Sequence, residues 1–528
     1  MNRESFKEYI QKGFFILDGA TGTELQKRGM PGGICPEQWV IDNPWAIIDL
    51  QKKYVESGSN VVYTCTFGGN RVKLEGFGLG DKVIELNKKL ARLSREAVGE
   101  SALVAGDLAP TGDFIEPFGD LSFEEVVDIY KEQVAGLLEG GVDFFVIETM
   151  MDIQEARAAL IAVRESCDLP VCVSMTFDEN GKTLTGTDPV TALITLQSLG
   201  ADAVGCNCST GPKDMLKIIS QMKPYAKVPL MAKPNAGLPK LVNGRTVFDM
   251  GTEEFGMFVA PLVSAGANMI GGCCGTSPEY IEQIRKNIEG LAPVSPKVKA
   301  ISALTSSRKT VLINSENKFL VIGERINPET EKNLQDELRE GETYEVQRLA
   351  AEQVQKGADI LNINVKLPGT DEAKLMKTVV EFVGSRFNTP LCIDTVSPEA
   401  LEAALRIYPG RALVNSISAE KEKIEKLLPV VTKYGAMFIL RPLDNKGVPE
   451  ETCRRSAIIE SVYNEAKKYG YEKDDIIVDS PVEEESSNQE PAEEMLKLLK
   501  QCKATFGCAS VIGKGKSGRW NCRLTFEM

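Results

Sequence analysis

The chain has 528 residues, of which 43% are hydrophobic, enough for two domains of ordinary size with a core each. Its formal net charge of −14 argues against a nucleic acid or an anionic membrane surface as a partner. The first residues do not have the pattern of a secretory signal, and the chain has no apolar run of roughly 18 residues or more. We therefore expect a cytoplasmic protein that does not enter a membrane.

Cysteine and histidine usage limits the kinds of metal site that the chain can build. The sequence contains 13 cysteines and no histidine. An odd number of scattered cysteines does not indicate a disulfide scaffold, so metal binding or ordinary burial must account for them. The commonest zinc ligand and the commonest general base are both absent. Any metal site must therefore be built from sulfur and oxygen ligands.

Short apolar segments alternate with amphipathic segments through residues 1–291. The predicted strands begin at Phe14, Asn60, Ala102, Val142, Pro170, Ala201, Pro229 and Ala267. The intervening segments, such as SFEEVVDIYKEQVAGLLEGG, have the 3.6-residue apolar spacing of helices. Apolar strands that alternate with helices indicate parallel strands buried on both faces, and eight such units have the size of a (β/α)8 barrel. We therefore predict an α/β fold in which residues 1–291 form a TIM-type barrel.

A second series of strands follows a Pro-, Ser- and Lys-rich stretch, 292–312, which we predict to be a linker. Six clear strands begin at Phe319, Ala358, Thr389, Arg411, Gly435 and Asp474, and a weaker seventh begins at Cys508. No eighth strand is recognisable in the rest of 313–528. The sequence thus predicts two (β/α)8 barrels in tandem, the second truncated at its C-terminus, with an open edge beside its first strand.

Three cysteines lie where predicted strands of the first barrel end. Cys208 follows the sixth strand, and Cys273 and Cys274 follow the eighth. Active sites of such barrels lie at the C-terminal ends of the strands, so the three thiols can converge there. Three thiolates suit Zn²⁺ and leave a fourth position open, as in catalytic zinc sites. Three small buried residues in glycine-rich turns would fit the spacing equally well, because no CxxC pair is present.

Five motifs of the first barrel resemble the homocysteine S-methyltransferase family. They are DGATGT (18–23), TFGGNR (66–71), GCNCSTGP (205–212), KPNAG (233–237) and GGCCGT (271–276). The resemblance implies that Cys208, Cys273 and Cys274 bind a zinc ion that activates the thiol of homocysteine. It favours the metal interpretation of these cysteines over simple burial.

Three polar residues of the first barrel are candidates for contacting homocysteine. Glu148 ends a buried strand, where a carboxylate is costly unless it is paired, so we predict that it binds the substrate ammonium. A structural pair with a nearby Lys or Arg is the alternative for this residue. Asp18 either contacts the substrate or orients its loop. Asn235 is expected to meet the amino acid carboxylate or the zinc shell.

The second barrel is similar to the pterin-binding domain of cobalamin-dependent methionine synthases. The similarity rests on GERINP (323–328), ADILNINV (358–365), CID (392–394), YPGRALVNSIS (408–418) and IIVD (476–479). It implies 5-methyltetrahydrofolate as co-substrate and a cobalamin carried by a separate domain or protein. The polar residues at strand ends are predicted to bind the pterin, although each alone would also suit a loop cap: Glu324, Asn364, Asp394, Asn415 and Asp479.

These resemblances predict a methyltransferase that converts homocysteine to methionine, with methyltetrahydrofolate as the methyl donor through cobalamin. Two alternatives stay open. One is a homocysteine methyltransferase that takes the methyl group directly from a small sulfonium donor, which would not need the second barrel. The other is a non-catalytic module that binds zinc or pterin.

Overall fold

The computed structural model describes residues 1–242, 245–296, 301–313, 319–449, 451–480, 497–502, 507–512 and 521–525. The chain forms two compact units, Met1–Gln197 with Ala201–Val298, and Ser198–Gly200 with Lys299–Met528. Within the described ranges, no helix is both long enough and apolar enough to cross a membrane.

The first unit is built around eight parallel strands and carries an additional hairpin. The parallel strands are β1 (Phe15–Ile16), β2 (Val61–Tyr63), β3 (Leu103–Leu108), β4 (Phe144–Met150), β5 (Val171–Met175), β6 (Ala203–Asn207), β7 (Leu230–Lys233) and β10 (Ala267–Ile270). The hairpin consists of β8 (Pro239–Val242) and β9 (Arg245–Phe248), between β7 and β10 in the chain. The sheet order is β1-β10-β7-β6-β5-β4-β3-β2. The amide of Asn60, just before β2, donates to the Ile16 carbonyl of β1 at 2.9 Å, which brings the two ends of the sheet together. The predicted barrel is therefore confirmed.

Helices follow most of these strands. They are α1 (Arg3–Lys12), α2 (Gly22–Lys27), α3 (Pro36–Asp42), α4 (Pro44–Ser57), α5 (Arg71–Glu75), α6 (Val83–Val98), α7 (Phe123–Gly140), α8 (Ile153–Ser166), α9 (Pro189–Ser198), α10 (Pro212–Met222), α11 (Thr252–Gly256), α12 (Val259–Ser264) and α13 (Pro278–Ile288). Their ends follow local sequence rules. Helix α7, for example, begins with a capping box between Ser122 and Glu125 and ends at Gly141 in the left-handed conformation.

The interior of the first barrel is apolar at one end and charged at the other. Phe6 of α1 packs on Phe15 and Phe144 and closes the N-terminal end. Ala105, Val146 and Met231 belong to the same buried core. Because side chains alternate along a strand, the residues two positions later also face the interior, nearer the C-terminal strand ends. Those residues are Asp107, Glu148 and Lys233.

The second unit forms a closed barrel. After the hairpin β11 (Ser302–Thr305) and β12 (Thr310–Ile313), its strands are β13 (Leu320–Ile326), β14 (Ile360–Ile363), β15 (Leu391–Asp394), β16 (Leu413–Ser418), β17 (Met437–Arg441), β18 (Ile476–Asp479), β19 (Ala509–Ile512) and β20 (Asn521–Thr525). The helices are α14 (Lys332–Glu340), α15 (Tyr344–Gln355), α16 (Glu372–Arg386), α17 (Pro398–Ile407), α18 (Lys421–Lys433) and α19 (Thr452–Lys468).

The parallel repeat of this barrel stops at β19, as the sequence predicts, but the expected open edge is wrong. Strand β20 pairs antiparallel with β19 on one side and with β13 on the other, and so closes the ring. An antiparallel strand needs no crossover helix. The segment NCRLT that forms β20 therefore lacks the strand–helix rhythm by which the other strands were recognised.

The stretch predicted as a linker contains the β11–β12 hairpin. Its residues Leu304, Val311 and Ile313 are buried in one cluster with the barrel residues Leu320 and Ile322. Hydrogen bonds also hold the hairpin on the barrel, because Ser302 Oγ donates to the Asp474 carbonyl at 2.7 Å and Thr305 N donates to the Arg411 carbonyl at 3.1 Å. Residues 302–313 are thus part of the folded core of the second unit.

Candidate active site

Three cysteine sulfurs converge at the C-terminal ends of the first barrel's strands. Cys208 follows β6, and Cys273 and Cys274 follow β10. Their Sγ atoms all lie within 4.8 Å of one another, and Cys208 Sγ is 3.9 Å from Cys274 Sγ. A tetrahedral zinc ion with Zn–S bonds of about 2.3 Å requires S···S distances of about 3.8 Å. The spacing therefore fits zinc, and in the described part of the chain no other group of three acidic, Cys or His residues could hold a metal.

The backbone around the cysteines is unusually tight. Cys208 has φ 60°, in the left-handed region that non-glycine residues rarely adopt. Gly275 also has a positive φ, and a Cβ on Gly272 would lie 2.7 Å from Thr276 Cβ. Cys273 N donates to the Pro234 carbonyl at 2.9 Å, which ties the GGCCGT turn to the loop after β7. Glycines are required here because a larger residue would push the turn apart.

Two buried amides support the thiols. Asn207 Nδ2 lies 3.9 Å from Cys273 Sγ, and the side chain of Asn235 is hydrogen-bonded to Cys208. Ser174 Oγ donates to Asn207 Oδ1 at 2.6 Å and fixes the orientation of that amide. Amide N–H groups stabilise thiolates, so the site is suited to negatively charged sulfur.

The three thiols share their protons unequally. Hydrogen bonds from Cys273 and Cys274 lower the pKa of Cys208 to about 3. Donating to Cys208 raises the pKa of Cys274 to about 12 and that of Cys273 well above its usual value. Ionising one thiol therefore makes it harder to ionise the other two, and a cation bound among them would favour the ionisation of all three.

A buried lysine connects two of the predicted acidic residues. Lys233 Nζ lies 3.0 Å from Asp18 Oδ1 and 3.9 Å from Glu148 Oε2, and 3.5 Å from the centre of the Tyr63 ring. Burial acts to lower the pKa of Lys233, but Asp18 and Glu148 outweigh it and raise that pKa above its ordinary value. The lysine is therefore a permanent cation inside the barrel.

Glu148 and Asp18 differ in how well their carboxylates are satisfied. Asp18 accepts hydrogen bonds from Tyr63 N at 2.8 Å and from Lys233, one on each oxygen. Oε2 of Glu148 has no hydrogen-bond partner among the described residues. Burial raises the pKa of Glu148 to about 7, with Lys233 opposing the rise and Asp18 adding to it. Glu148 thus has an oxygen available for a ligand, whereas Asp18 is occupied within the protein.

The structure places every predicted residue of the first barrel at this end and adds three that sequence reasoning missed. Asn235 is buried, and its Oδ1 has no partner in the part of the chain that is described. The additional residues are Asp107, Asn207 and Lys233. Lys233 and Asn207 lie within the motifs KPNAG and GCNCSTGP, and the period-two spacing from the apolar core residues could have identified Asp107 and Lys233.

The predicted pterin residues lie at the C-terminal ends of the second barrel's strands. Ile322, Cys392, Leu413 and Ile477 form part of its core. The residues two positions after them are therefore expected on the same inner face, and they are the predicted residues Glu324, Asp394, Asn415 and Asp479. Asp394 and Asn415 are neighbours in the register of β15 and β16. Asn364 follows β14, where its N–H donates to the Ile326 carbonyl.

Two clusters of polar side chains occur at this end. In the first cluster, Asn362 Nδ2 donates to Asp394 Oδ2 at 3.0 Å. Burial raises the pKa of Asp394, and hydrogen bonds from the side chains of Asn362 and Asn364 oppose that rise. In the second cluster, Arg441 Nε lies 3.7 Å from Asp479 Oδ2. Burial raises the pKa of Asp479 to about 6, although the positive charge of Arg441 acts to lower it. Asn362 and Arg441 were not predicted as site residues.

Comparison with known proteins covers both units. Residues 15–288 match the family model described as homocysteine S-methyltransferase, and residues 323–517 match that of pterin binding enzymes. Methionine synthase of Mycobacterium tuberculosis (strain ATCC 25618 / H37Rv) is 26% identical over 499 residues, which are 90% of this chain and 42% of that protein. Methionine synthase of Mycobacterium leprae (strain TN) is 26% identical over 503 residues, 89% of this chain and 42% of that protein. The chain spans less than half the length of these curated relatives.

Among solved structures, the metallated form of the homocysteine methyltransferase MmuM from Escherichia coli is similar, with a TM-score of 0.45 and 22% identity. The match covers 53% of this chain and 98% of that one. The first family match covers more than half of the 528 residues. The chain belongs to the homocysteine S-methyltransferase family.

Proposed function

We propose that the chain transfers a methyl group to the sulfur of homocysteine, forming methionine, and that its second barrel binds the methyl donor 5-methyltetrahydrofolate. The observation that carries the proposal is the convergence of three cysteine sulfurs near the buried carboxylate of Glu148, whose Oε2 has no hydrogen-bond partner among the described residues. The names of the relatives, methionine synthases, support it.

Cys208, Cys273 and Cys274 would hold a zinc ion, since their spacing and the absence of histidine suit it. Bound there, zinc would lower the pKa of the homocysteine thiol and offer an open fourth position to its sulfur. Glu148 would bind the substrate ammonium through Oε2, and Asn235 would present its unpaired Oδ1 next to the cysteines. Lys233 would hold Glu148 and Asp18 in place.

Asp394, Asn364, Asn415, Asp479 and Glu324 would line the pterin site of the second barrel. Carboxylates and amides on one inner face can match the alternating donors and acceptors of a pterin edge. Cobalamin, held by a separate domain or protein, would supply the methyl-carrier chemistry that links folate bound to the second barrel with homocysteine bound to the first. The cytoplasmic location stays a prediction from the composition.

Metal analysis and methyl-transfer assays test the proposal. Purified protein should contain close to one zinc per chain, and Cys273→Ala should lose it. Methionine should form from homocysteine with added methylcobalamin, and from methyltetrahydrofolate when cobalamin is supplied on a carrier. Methionine formed only from S-methylmethionine would support the small-donor alternative instead. A zinc-free protein that is fully active would refute the metal assignment.

A further inference from the structure

Arg441 is a cation at the mouth of the second barrel to which the proposed pterin site gives no role. It ends β17, and Met437 and Ile439 of the same strand belong to the barrel core. Because side chains alternate along a strand, Arg441 faces the same interior as these two residues, nearer the C-terminal strand ends. Its side chain is 48% exposed, so the guanidinium lies where the interior opens to solvent.

Each strand beside β17 brings one carboxylate towards Arg441. On the β18 side, Asp479 Oδ2 is 3.7 Å from Arg441 Nε. On the β16 side, Glu420 follows the strand, and its Oε2 accepts from Ser418 Oγ at 2.7 Å. A hydrogen bond from Lys423 is the main cause that lowers the pKa of Glu420, and the more distant charge of Arg441 adds to it. Glu420 is therefore satisfied by its own neighbours, and Asp479 is the one described residue that pairs with Arg441.

The guanidinium of Arg441 keeps most of its hydrogen-bonding capacity. It makes no hydrogen bond with the described residues, and Nε is the atom that approaches Asp479. A guanidinium has five N–H donors in a planar fork, so the four donors on the two Nη atoms are available to a ligand. A fork of this geometry binds a carboxylate through two parallel hydrogen bonds. Arg441 is thus suited to an anionic ligand group at the barrel mouth.

The other strand-end residues of this inner face suit only one end of a folate molecule. They carry carboxylates or an amide: Glu324, Asp394, Asn415 and Asp479. Such groups match the donors of a pterin edge, but the carboxylates would repel the p-aminobenzoylglutamate tail, which has two carboxylates of its own. A ring bound inside the barrel directs its tail towards the opening. Among the described strand-end residues of this face, Arg441 alone has the charge that the tail requires.

We propose that Arg441 binds a carboxylate of the glutamate tail of 5-methyltetrahydrofolate, so that the second barrel selects folates over pterins that lack this tail. The inference rests on the proposed binding of methyltetrahydrofolate to this barrel. Asp479 keeps its place at the pterin edge, since it approaches only Nε of Arg441, and the two Nη atoms donate to the tail.

Calorimetric titration of the full-length protein tests this assignment. The variant is Arg441→Met, which removes the charge and keeps a long side chain. The ligands are 5-methyltetrahydrofolate and 5,6-dimethyltetrahydropterin, which has the same methylated ring but no p-aminobenzoylglutamate tail. We expect the folate to bind at least about tenfold more weakly to the variant, because a charge-assisted contact is lost, and the tail-less pterin to bind within about twofold of the wild type. Arg339→Met is the matched control, since Arg339 of α14 is 49% exposed and also pairs with one aspartate, Asp336.

Equal weakening of both ligands would overturn the assignment, since Arg441 would then act on the ring through Asp479. An unchanged affinity for the folate would also overturn it. Should the methionine variant not fold, as judged by its melting temperature, Arg441→Gln gives the same comparison of the two ligands. A wild-type protein that binds the tail-less pterin as tightly as the folate would refute tail recognition and leave the proposed pterin site intact. A wild-type protein that binds neither ligand would refute the proposed function of the second barrel and this inference with it.

Discussion

A methyl group added to the turn that carries Cys273 and Cys274 should disturb the proposed zinc site without changing any of its three cysteines. In Gly272→Ala the new Cβ would lie 2.7 Å from Thr276 Cβ and closer still to Thr276 Oγ1. Thr276 cannot easily move away, because its Oγ1 donates to the Cys273 carbonyl at 2.7 Å and accepts from Ala20 N at 3.2 Å. The turn that carries Cys273 and Cys274 must therefore shift.

Overpacking of this kind costs about 1–3 kcal/mol. If all of it acts on the metal site, zinc affinity falls by roughly 5- to 150-fold, since about 1.4 kcal/mol corresponds to a factor of ten. Competition with a chromogenic zinc chelator measures this change, and thermal unfolding reports how much strain is spread through the barrel. Gly251→Ala is the matched control, because a Cβ there would meet no atom within 4 Å. Zinc affinity and melting temperature both equal to those of the control would refute the close-packing argument.

Three further predictions concern both barrels. Arg411 is buried, and its Nη2 donates to Asp475 Oδ1 at 2.7 Å while its Nη1 donates to the Ala303 carbonyl of β11 at 3.3 Å. Arg411→Met leaves Asp475 buried without its partner, so it should lower the unfolding free energy of the second unit by about 3–5 kcal/mol in denaturant unfolding. A loss below about 1 kcal/mol would contradict this prediction. Burial raises the pKa of Glu148 from 4.5 to about 7 in the folded protein, so its protonated form contributes stability that is complete below pH 4.5 and is lost as the pH rises through 7. Glu148→Gln does not titrate, so its unfolding free energy should rise relative to that of the wild type between these two pH values. A constant difference in unfolding free energy would show that the carboxylate does not titrate there. Asp394→Asn should weaken binding of 5-methyltetrahydrofolate by about tenfold or more, measured by fluorescence titration, while zinc content and homocysteine binding stay unchanged.

Much of the architecture follows from local patterns in the sequence. The strands of the first barrel are recognisable because each is a short apolar run followed by a helix with 3.6-residue spacing, and the structure confirms them. Strand β20 was missed because it returns antiparallel, without a helix before it. The hairpin of 302–313 was taken for part of a linker, since its apolar residues become buried only against the second barrel.

The residue types of the proposed zinc site were available from the sequence, because three cysteines at strand ends and the lack of histidine restrict the chemistry. The partners of the buried charges were not. Asp18 and Lys233 are 215 positions apart and meet only because the closed barrel brings β1 and β7 to one interior. In Asp18 both carboxylate oxygens are hydrogen-bonded, whereas Oδ1 of Asp107 has no hydrogen-bond partner among the described residues, and this difference depends on such long-range contacts. Local patterns set which residues face inward, and barrel closure decides which of them neutralise one another and which are left to bind a ligand.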